Sequence, residues 1–200
     1  MNEDSNLFPD FKRLVSRKDK EKMLNQKSKV IWLTGLSGSG KTSLAVNLEK
    51  HLHQKGYLTQ VFDGDNIRSG INSDLDFTNE GRKENIRRVA EISKLFTDCG
   101  IIVISCFISP TEEIRKLAKA IIGEKDFIEV FVDVPFEICE QRDVKGLYRK
   151  ARNGKVKNFT GMDSCYEKPE KPDITIDTSK QSKEESAQIL FNEVIKHLTE

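Results

Sequence analysis

The stretch Gly35-Leu36-Ser37-Gly38-Ser39-Gly40-Lys41-Thr42 constrains the chain more than any other, because a G-x-x-x-x-G-K-[ST] pattern carries physical meaning only between a strand and a helix. Both flanks are present. Val30-Ile31-Trp32-Leu33-Thr34 reads as a buried strand, and within residues 42–55 Leu44, Ala45, Leu48 and Leu52 recur at helical spacing. The glycines let successive backbone N–H groups turn inward, and the helix start adds positive potential, so the loop is expected to cradle a polyphosphate. Lys41 is expected to reach the β- and γ-phosphates and the Thr42 hydroxyl to bind Mg²⁺. A glycine turn without a ligand is the plainer explanation, and the correct flanks argue against it.

Strand and helix go on alternating from residue 29. Strands are expected at 58–62, 101–105, 127–133 and 174–176, and helices at 79–98, 110–122, 135–142 and 183–197, where apolar residues fall on one stripe. Such alternation gives an α/β fold of the P-loop NTPase kind: a doubly wound, mostly parallel sheet of five strands with helices on both faces. The 200 residues suit one domain, placed at 28–200. Residues 1–27 form a polar arm with Phe8, Phe11 and Leu14 as anchors and a helix-start signal at Ser16-Arg17-Lys18-Asp19. A net charge of +1 provides no whole-molecule field for nucleic acid or membrane, and neither is expected as a partner. The N-terminus lacks a secretory apolar core, no run reaches membrane-spanning length, and Cys99, Cys106, Cys139 and Cys165 show no C-x-x-C spacing. A cytoplasmic protein with reduced, mostly buried thiols is the expectation.

In a parallel sheet the carboxyl ends of the strands face the ligand crevice, which places Asp63 and Asp65 of Asp63-Gly64-Asp65-Asn66-Ile67-Arg68 beside the phosphates. The third strand ends without an acid, so this pair is expected to order the metal's water shell and to orient or deprotonate an attacking hydroxyl. For Asp65 the alternative is a helix N-cap before Asn66. Arg82 and Asn85 extend the inner stripe of the long helix at its first turn. A cation there opposes the macrodipole, which favours an anionic ligand. The run from Arg142 through Lys145, Arg149, Lys150, Arg152 and Lys155 to Lys157 holds the single acid Asp143. Either it is a solvated face or a lid that brings cations over a transferring phosphoryl group, and the second fits the chemistry better. Phe77 and Phe159 stand in polar loops, each able to anchor its loop or to stack on a base. Ser109, before Pro110 and three residues before Glu112, reads as a helix cap.

These residues together resemble the adenylylsulfate (APS) kinase family. The matching words are GLSGSGKT, DGDNIR, the ENIRR of Glu84–Arg88, FISP from Phe107, IEVFVDVP from Ile128, KGLYRKAR from Lys145, and FTG-MDS-CYE from Phe159, in order over about three quarters of the chain. The resemblance implies an enzyme that moves the γ-phosphoryl of ATP to the 3′-hydroxyl of adenosine 5′-phosphosulfate, giving PAPS and ADP, with Mg²⁺ and as a homodimer. It implies an ATP site at Gly35, Leu36, Ser37, Gly38, Ser39, Gly40, Lys41 and Thr42, with Arg142 near the adenine. The implied acceptor site comprises Asp63, Asp65, Arg68, Phe77, Arg82, Asn85, Ile108, Lys145, Leu147, Phe159 and Thr160. Phe77 and Phe159 would sandwich the acceptor's adenine, and Arg68, Arg82 and Asn85 would grip its phosphosulfate. Lys41, Asp63, Lys145 and Ser109 are the implied catalytic residues, Ser109 as a phosphorylated intermediate, and Thr42 with Asp63 the implied metal ligands. Asp76 stands where glycine is common, Gly81 where an acid precedes Arg82, Thr111 where an aromatic follows FISP, and Cys165 in place of a proline. The competing readings are a kinase for another small-molecule hydroxyl and a catalytically inactive domain that senses PAPS. Retention of Lys41, Thr42, Asp63 and Asp65 speaks against the second.

Overall fold

A computed structural model describes residues 13–199. Five strands, β1 (Val30–Thr34), β2 (Thr59–Asp63), β3 (Ile102–Cys106), β4 (Phe127–Val132) and β5 (Ile174–Ile176), form one sheet in the order β2-β3-β1-β4-β5. All four pairings are parallel. Alternate side chains of β1 feed two cores. Ile31 and Leu33 pack with α2 (Lys41–Gln54) and α8 (Lys183–Thr199), while Val30 and Trp32 pack with α4 (Asn79–Asp98) and α5 (Glu112–Ile122). The sheet is therefore covered on both faces, as its continuous apolar strands require.

The N-terminal helix α1 (Arg17–Leu24) starts where Ser16 caps it, the Ser16 hydroxyl accepting from the Asp19 N–H. It is moored to the amino ends of four strands. Arg17 donates to Asp126 Oδ1 at 2.9 Å and to Ser28 Oγ at 2.9 Å, and Glu21 accepts from the Ser28 N–H at 2.9 Å. Gln26 donates to the carbonyls of Gly100 (2.7 Å) and Leu58 (3.0 Å). Of the arm's expected anchors, Leu14 is exposed, and Phe8 and Phe11 lie outside the described residues.

Helix α5 begins later than the sequence suggests. Thr111 is its cap, accepting from the Ile114 N–H, so Ser109 and Pro110 belong to the preceding turn. The cap offered as the alternative for Asp65 likewise belongs to Asp63, whose side chain accepts from the Asp65 N–H at the start of α3 (Gly64–Ser69). Of the basic run, α6 (Phe136–Arg142) ends in Arg142 and α7 (Leu147–Arg152) carries Arg149, Lys150 and Arg152, while Lys145, Lys155 and Lys157 lie in the turns around α7. Cys106 and Cys139 are buried, whereas Cys99 and Cys165 are exposed, so the expectation of mostly buried thiols holds for two of them.

Candidate active site

Strand β1 delivers the glycine loop to the carboxyl edge of the sheet, and α2 begins at Lys41. Gly38 and Gly40 take φ values of 77° and 99°, a region that costs glycine little, which lets the loop curl. Added bulk at Gly38 would strike the Cys139 carbonyl. Lys41 folds across its own loop and donates to the carbonyls of Gly35 and Leu36, both at 2.8 Å. Burial pushes its pKa down to about 8. The loop is braced from behind by Thr178, which no motif marked, and by Tyr148 and Arg142, for which this role was not foreseen. Thr178 Oγ1 donates to the Ser39 carbonyl at 2.7 Å, Tyr148 Oη to the Ser37 carbonyl at 2.8 Å, and Arg142 to Thr178 Oγ1 at 3.0 Å and to the Gly38 carbonyl at 3.3 Å. Nothing in local spacing could have linked Thr178 to a loop far earlier in the chain.

Asp63 ends β2 with Cys106 as its partner in register on β3. Its Oδ2 accepts from Thr42 Oγ1 at 2.8 Å and from Cys106 Sγ at 3.2 Å, and its Oδ1 from the Asp65 N–H at 3.0 Å. Burial alone would raise the pKa of this carboxyl. The hydrogen bonds from Thr42, Cys106 and Asp65, with the nearby Lys145 ammonium, outweigh it and hold Asp63 below its ordinary range. The same burial and carboxylate drive the Cys106 thiol upward, so it acts as a donor. The third strand thus ends in a thiol that serves the neighbouring strand's acid. Lys145, just ahead of α7, bonds Asp65.

A second cluster lies around the start of α4. Arg68 donates to the carbonyls of Leu75 and Asp76, both at 3.0 Å, and its guanidinium sits 4.4 Å from the centre of the exposed Phe77 ring. Arg82 joins two predicted residues and one that was not: it donates to the Phe77 carbonyl at 3.1 Å, to Thr160 Oγ1 at 2.7 Å, and to the carbonyl of Asn158. Burial lowers the pKa of both arginines, and Arg82 lowers that of Arg68 further. Two like charges gathered in half-buried surroundings are an electrostatic setting that an anion would relieve. Phe159 itself is buried edge-on against Tyr148, with ring centres 4.9 Å apart, so of the two rings Phe77 is the open one. Leu147 packs partly against the core, and the Ile108 carbonyl accepts from Thr34 Oγ1 at 2.7 Å.

Asp143, the lone acid of the basic run, accepts from the N–H groups of Tyr148 (3.0 Å) and Arg149 (3.1 Å) and so starts α7. Arg142 serves the phosphate loop rather than the run that follows it. Ser109 is 2% exposed, at a φ of 38°, and its hydroxyl accepts from Trp32 Nε1 at 3.1 Å. Two departures from the family pattern also meet here. A Cβ on Gly81 would overlap the Asp76 carboxylate, which accepts from the Thr78 N–H and hydroxyl, so Asp76 requires Gly81.

Thr42 and Asp63 present hard oxygen donors to one point, and among the described residues no group of three or more His, Cys, Asp and Glu side chains converges. Few protein oxygens, the remainder water and phosphate, is the donor set that suits Mg²⁺.

A family model described as Adenylylsulphate kinase matches residues 27–177. The chain is 55% identical over 193 residues to an adenylyl-sulfate kinase of Phocaeicola vulgatus, covering 96% of this chain and 95% of that one. It is 56% identical over 183 residues to one of Clostridium acetobutylicum, covering 92% and 91%. Its structure is similar to that of the Mycobacterium tuberculosis APS kinase CysC in complex with AMPPNP and APS, with a TM-score of 0.81, 44% identity, and coverage of 84% of this chain and 98% of that chain. Likeness to a gluconokinase from Sinorhizobium meliloti, at 14% identity and a TM-score of 0.53, is a likeness of fold.

Proposed function

From the premise that this chain belongs to the adenylylsulfate kinase family, we propose how its residues divide the work. The protein is an adenylyl-sulfate kinase that moves phosphate from ATP to a hydroxyl group. The loop Gly35–Thr42 takes the triphosphate, and Lys41 exchanges two backbone carbonyls for phosphate oxygens. Thr42 and Asp63 would hold Mg²⁺, which would neutralise phosphate charge when bound. The acceptor, adenosine 5′-phosphosulfate, lies opposite. Arg68, Arg82 and Asn85 receive its anionic end and Phe77 its adenine, with Ile108, Leu147, Phe159 and Thr160 around it.

Asp63 is held ionised, so it is a weak base, and orienting the 3′-hydroxyl is the task that suits it. A loose phosphoryl transition state asks little deprotonation of the nucleophile. Lys145, tied to Asp65 and close to Asp63, brings the lid's positive charge to where the equatorial oxygens gather charge. Ser109 is buried and its hydroxyl is already engaged by Trp32, which favours direct in-line transfer over a phosphoserine route. Ser109→Ala should keep turnover measurable and lose about 0.5–1.5 kcal/mol of stability from the missing hydrogen bond. A covalent route through this serine predicts no turnover.

The observation that carries the reading is the pair of half-buried arginines, Arg68 and Arg82, gathered around Phe77 apart from the cations that serve the phosphate loop. An ADP-release assay with APS, gluconate, shikimate and nucleosides as acceptors tests it. Turnover with APS alone is expected, and comparable turnover with any other acceptor overturns it. The working unit is read as a homodimer, for which sedimentation equilibrium is the measurement. A related APS kinase from Thiobacillus denitrificans is described as hexameric. Among the described residues no helix is long and apolar enough to cross a membrane.

A further inference from the structure

Asn72 lies in the turn after α3 and matches none of the motifs above. It is fully buried, held by its N–H to the Ile67 carbonyl at 3.0 Å, while its own carbonyl accepts from the Leu75 N–H at 3.2 Å. Its side-chain Nδ2 donates to Asn85 Oδ1 at 3.0 Å and points at the Asn85 backbone carbonyl at 3.4 Å. A main-chain carbonyl can only accept, so it dictates which end of the Asn72 amide faces α4. The NH₂ faces α4, Asn85 must answer with Oδ1, and the Asn85 Nδ2 then points the other way. That Nδ2 has no partner among the described residues, and it is not among the buried atoms that lack one. Asn72 Oδ1 is among them. A side chain present only for packing would shed this unpaired oxygen by being apolar.

We propose that Asn72 is a positioning residue that locks the Asn85 amide with its N–H donors toward the anionic end of the acceptor. With the amide reversed, Asn85 would present a carbonyl oxygen to an anion that can only accept hydrogen bonds. Asn72 therefore sets the sign of the contact one helical turn beyond Arg82. This rests on the reading that Asn85 grips the phosphosulfate, and the test separates the two.

Steady-state kinetics of the full chain carrying Asn72→Asp, Asn72→Leu, Asn85→Ala and the Asn72→Leu/Asn85→Ala pair decide it. Asn72→Asp keeps the shape but offers acceptors only, which turns the Asn85 amide round. The KM for APS is expected to rise at least tenfold in both Asn72 variants, with the KM for ATP within twofold, and Asn72→Leu should add nothing once residue 85 is alanine. If Asn85→Ala raises the KM for APS and the Asn72 variants do not, the proposal falls while the role of Asn85 stands. Additive effects in the pair also overturn it, since Asn72 would then act through packing. An unchanged KM in Asn85→Ala removes both. Should the Asn72 variants not fold, ¹⁵N spectra of the unmodified protein replace them. APS should then shift the Asn85 side-chain amide protons while those of Asn72 exchange slowly, and rapid exchange at Asn72 overturns the proposal.

Discussion

Asp63 shows how much one side chain can be asked to hold. It caps α3, accepts from Thr42 and Cys106, and faces the point where a metal and a hydroxyl would meet. Alanine would confuse these roles, whereas Asp63→Asn keeps a capping oxygen and removes the charge. Its kcat should fall about 10²- to 10⁴-fold, with ADP affinity by calorimetry changed only a few fold. Near-normal turnover would reject the role. Gly81 and Asp76 make a residue-scale pair of another kind. Gly81→Ala should cost about 1–3 kcal/mol in urea denaturation because the methyl meets the Asp76 carboxylate. In an Asp76→Gly background part of the cost should go and part remain, because the methyl also meets the main-chain carbonyl of residue 76. Read from the sequence, the two positions were separate oddities, since nothing in their spacing shows that the turn brings one onto the other.

Among the elements, those whose signal is local were legible. Helix α4 runs over the residues its apolar stripe predicts, with Thr78 found as its cap, and β1 is the apolar run before the glycines. The start of α5 was misread because Ser109 and Thr111 are equally good caps in isolation. The buried bond from Trp32 commits Ser109 to the turn and leaves Thr111 to cap. The cap that was one alternative for Asp65 falls to Asp63 for a similar reason, β2 extending one residue further than its apolar run. Thr178 as a brace on the phosphate loop was invisible, and Tyr148 was seen only as part of a family word, because both reach the loop from distant elements. Helix α1 offers the element-scale prediction. Arg17→Ala removes half-buried bonds to Asp126 and Ser28 and should lower stability by about 1.5–3 kcal/mol, the value for hydrogen bonds to charged groups. Because these lie at the amino edge of the sheet, kcat should be unchanged. A drop in kcat would show that α1 communicates with the opposite edge.

At the scale of the molecule, five parallel strands put every proposed ligand contact at one edge and leave the other to hold the chain together. On the proposed reading the two nucleotides would share one floor, Asp63 with the turn after β3, and one roof, the segment around α7. Each ligand that binds only the folded form adds about 2.7 kcal/mol at a hundred times its dissociation constant. ADP and APS together should thus raise the melting temperature by roughly 10 °C or more, at about 2–4 °C per kcal/mol for a chain of this size. Scanning calorimetry with each nucleotide alone and with both checks this, and no added shift from APS would separate the acceptor from this edge. The fold class and the position of the phosphate loop were legible because alternation and a glycine pattern are read along the chain. The pairing of Arg68 with Arg82 depends on where two turns meet in space.

Trp32 is the chain's one tryptophan, wholly buried, stacked on Phe107 and bonded to Ser109. Its indole therefore gives a single fluorescence signal that originates beneath the turn supporting the proposed acceptor pocket. A rearrangement of residues 107–110 would alter the emission of this one fluorophore, so the protein carries an unlabelled optical reporter at the floor of its own site.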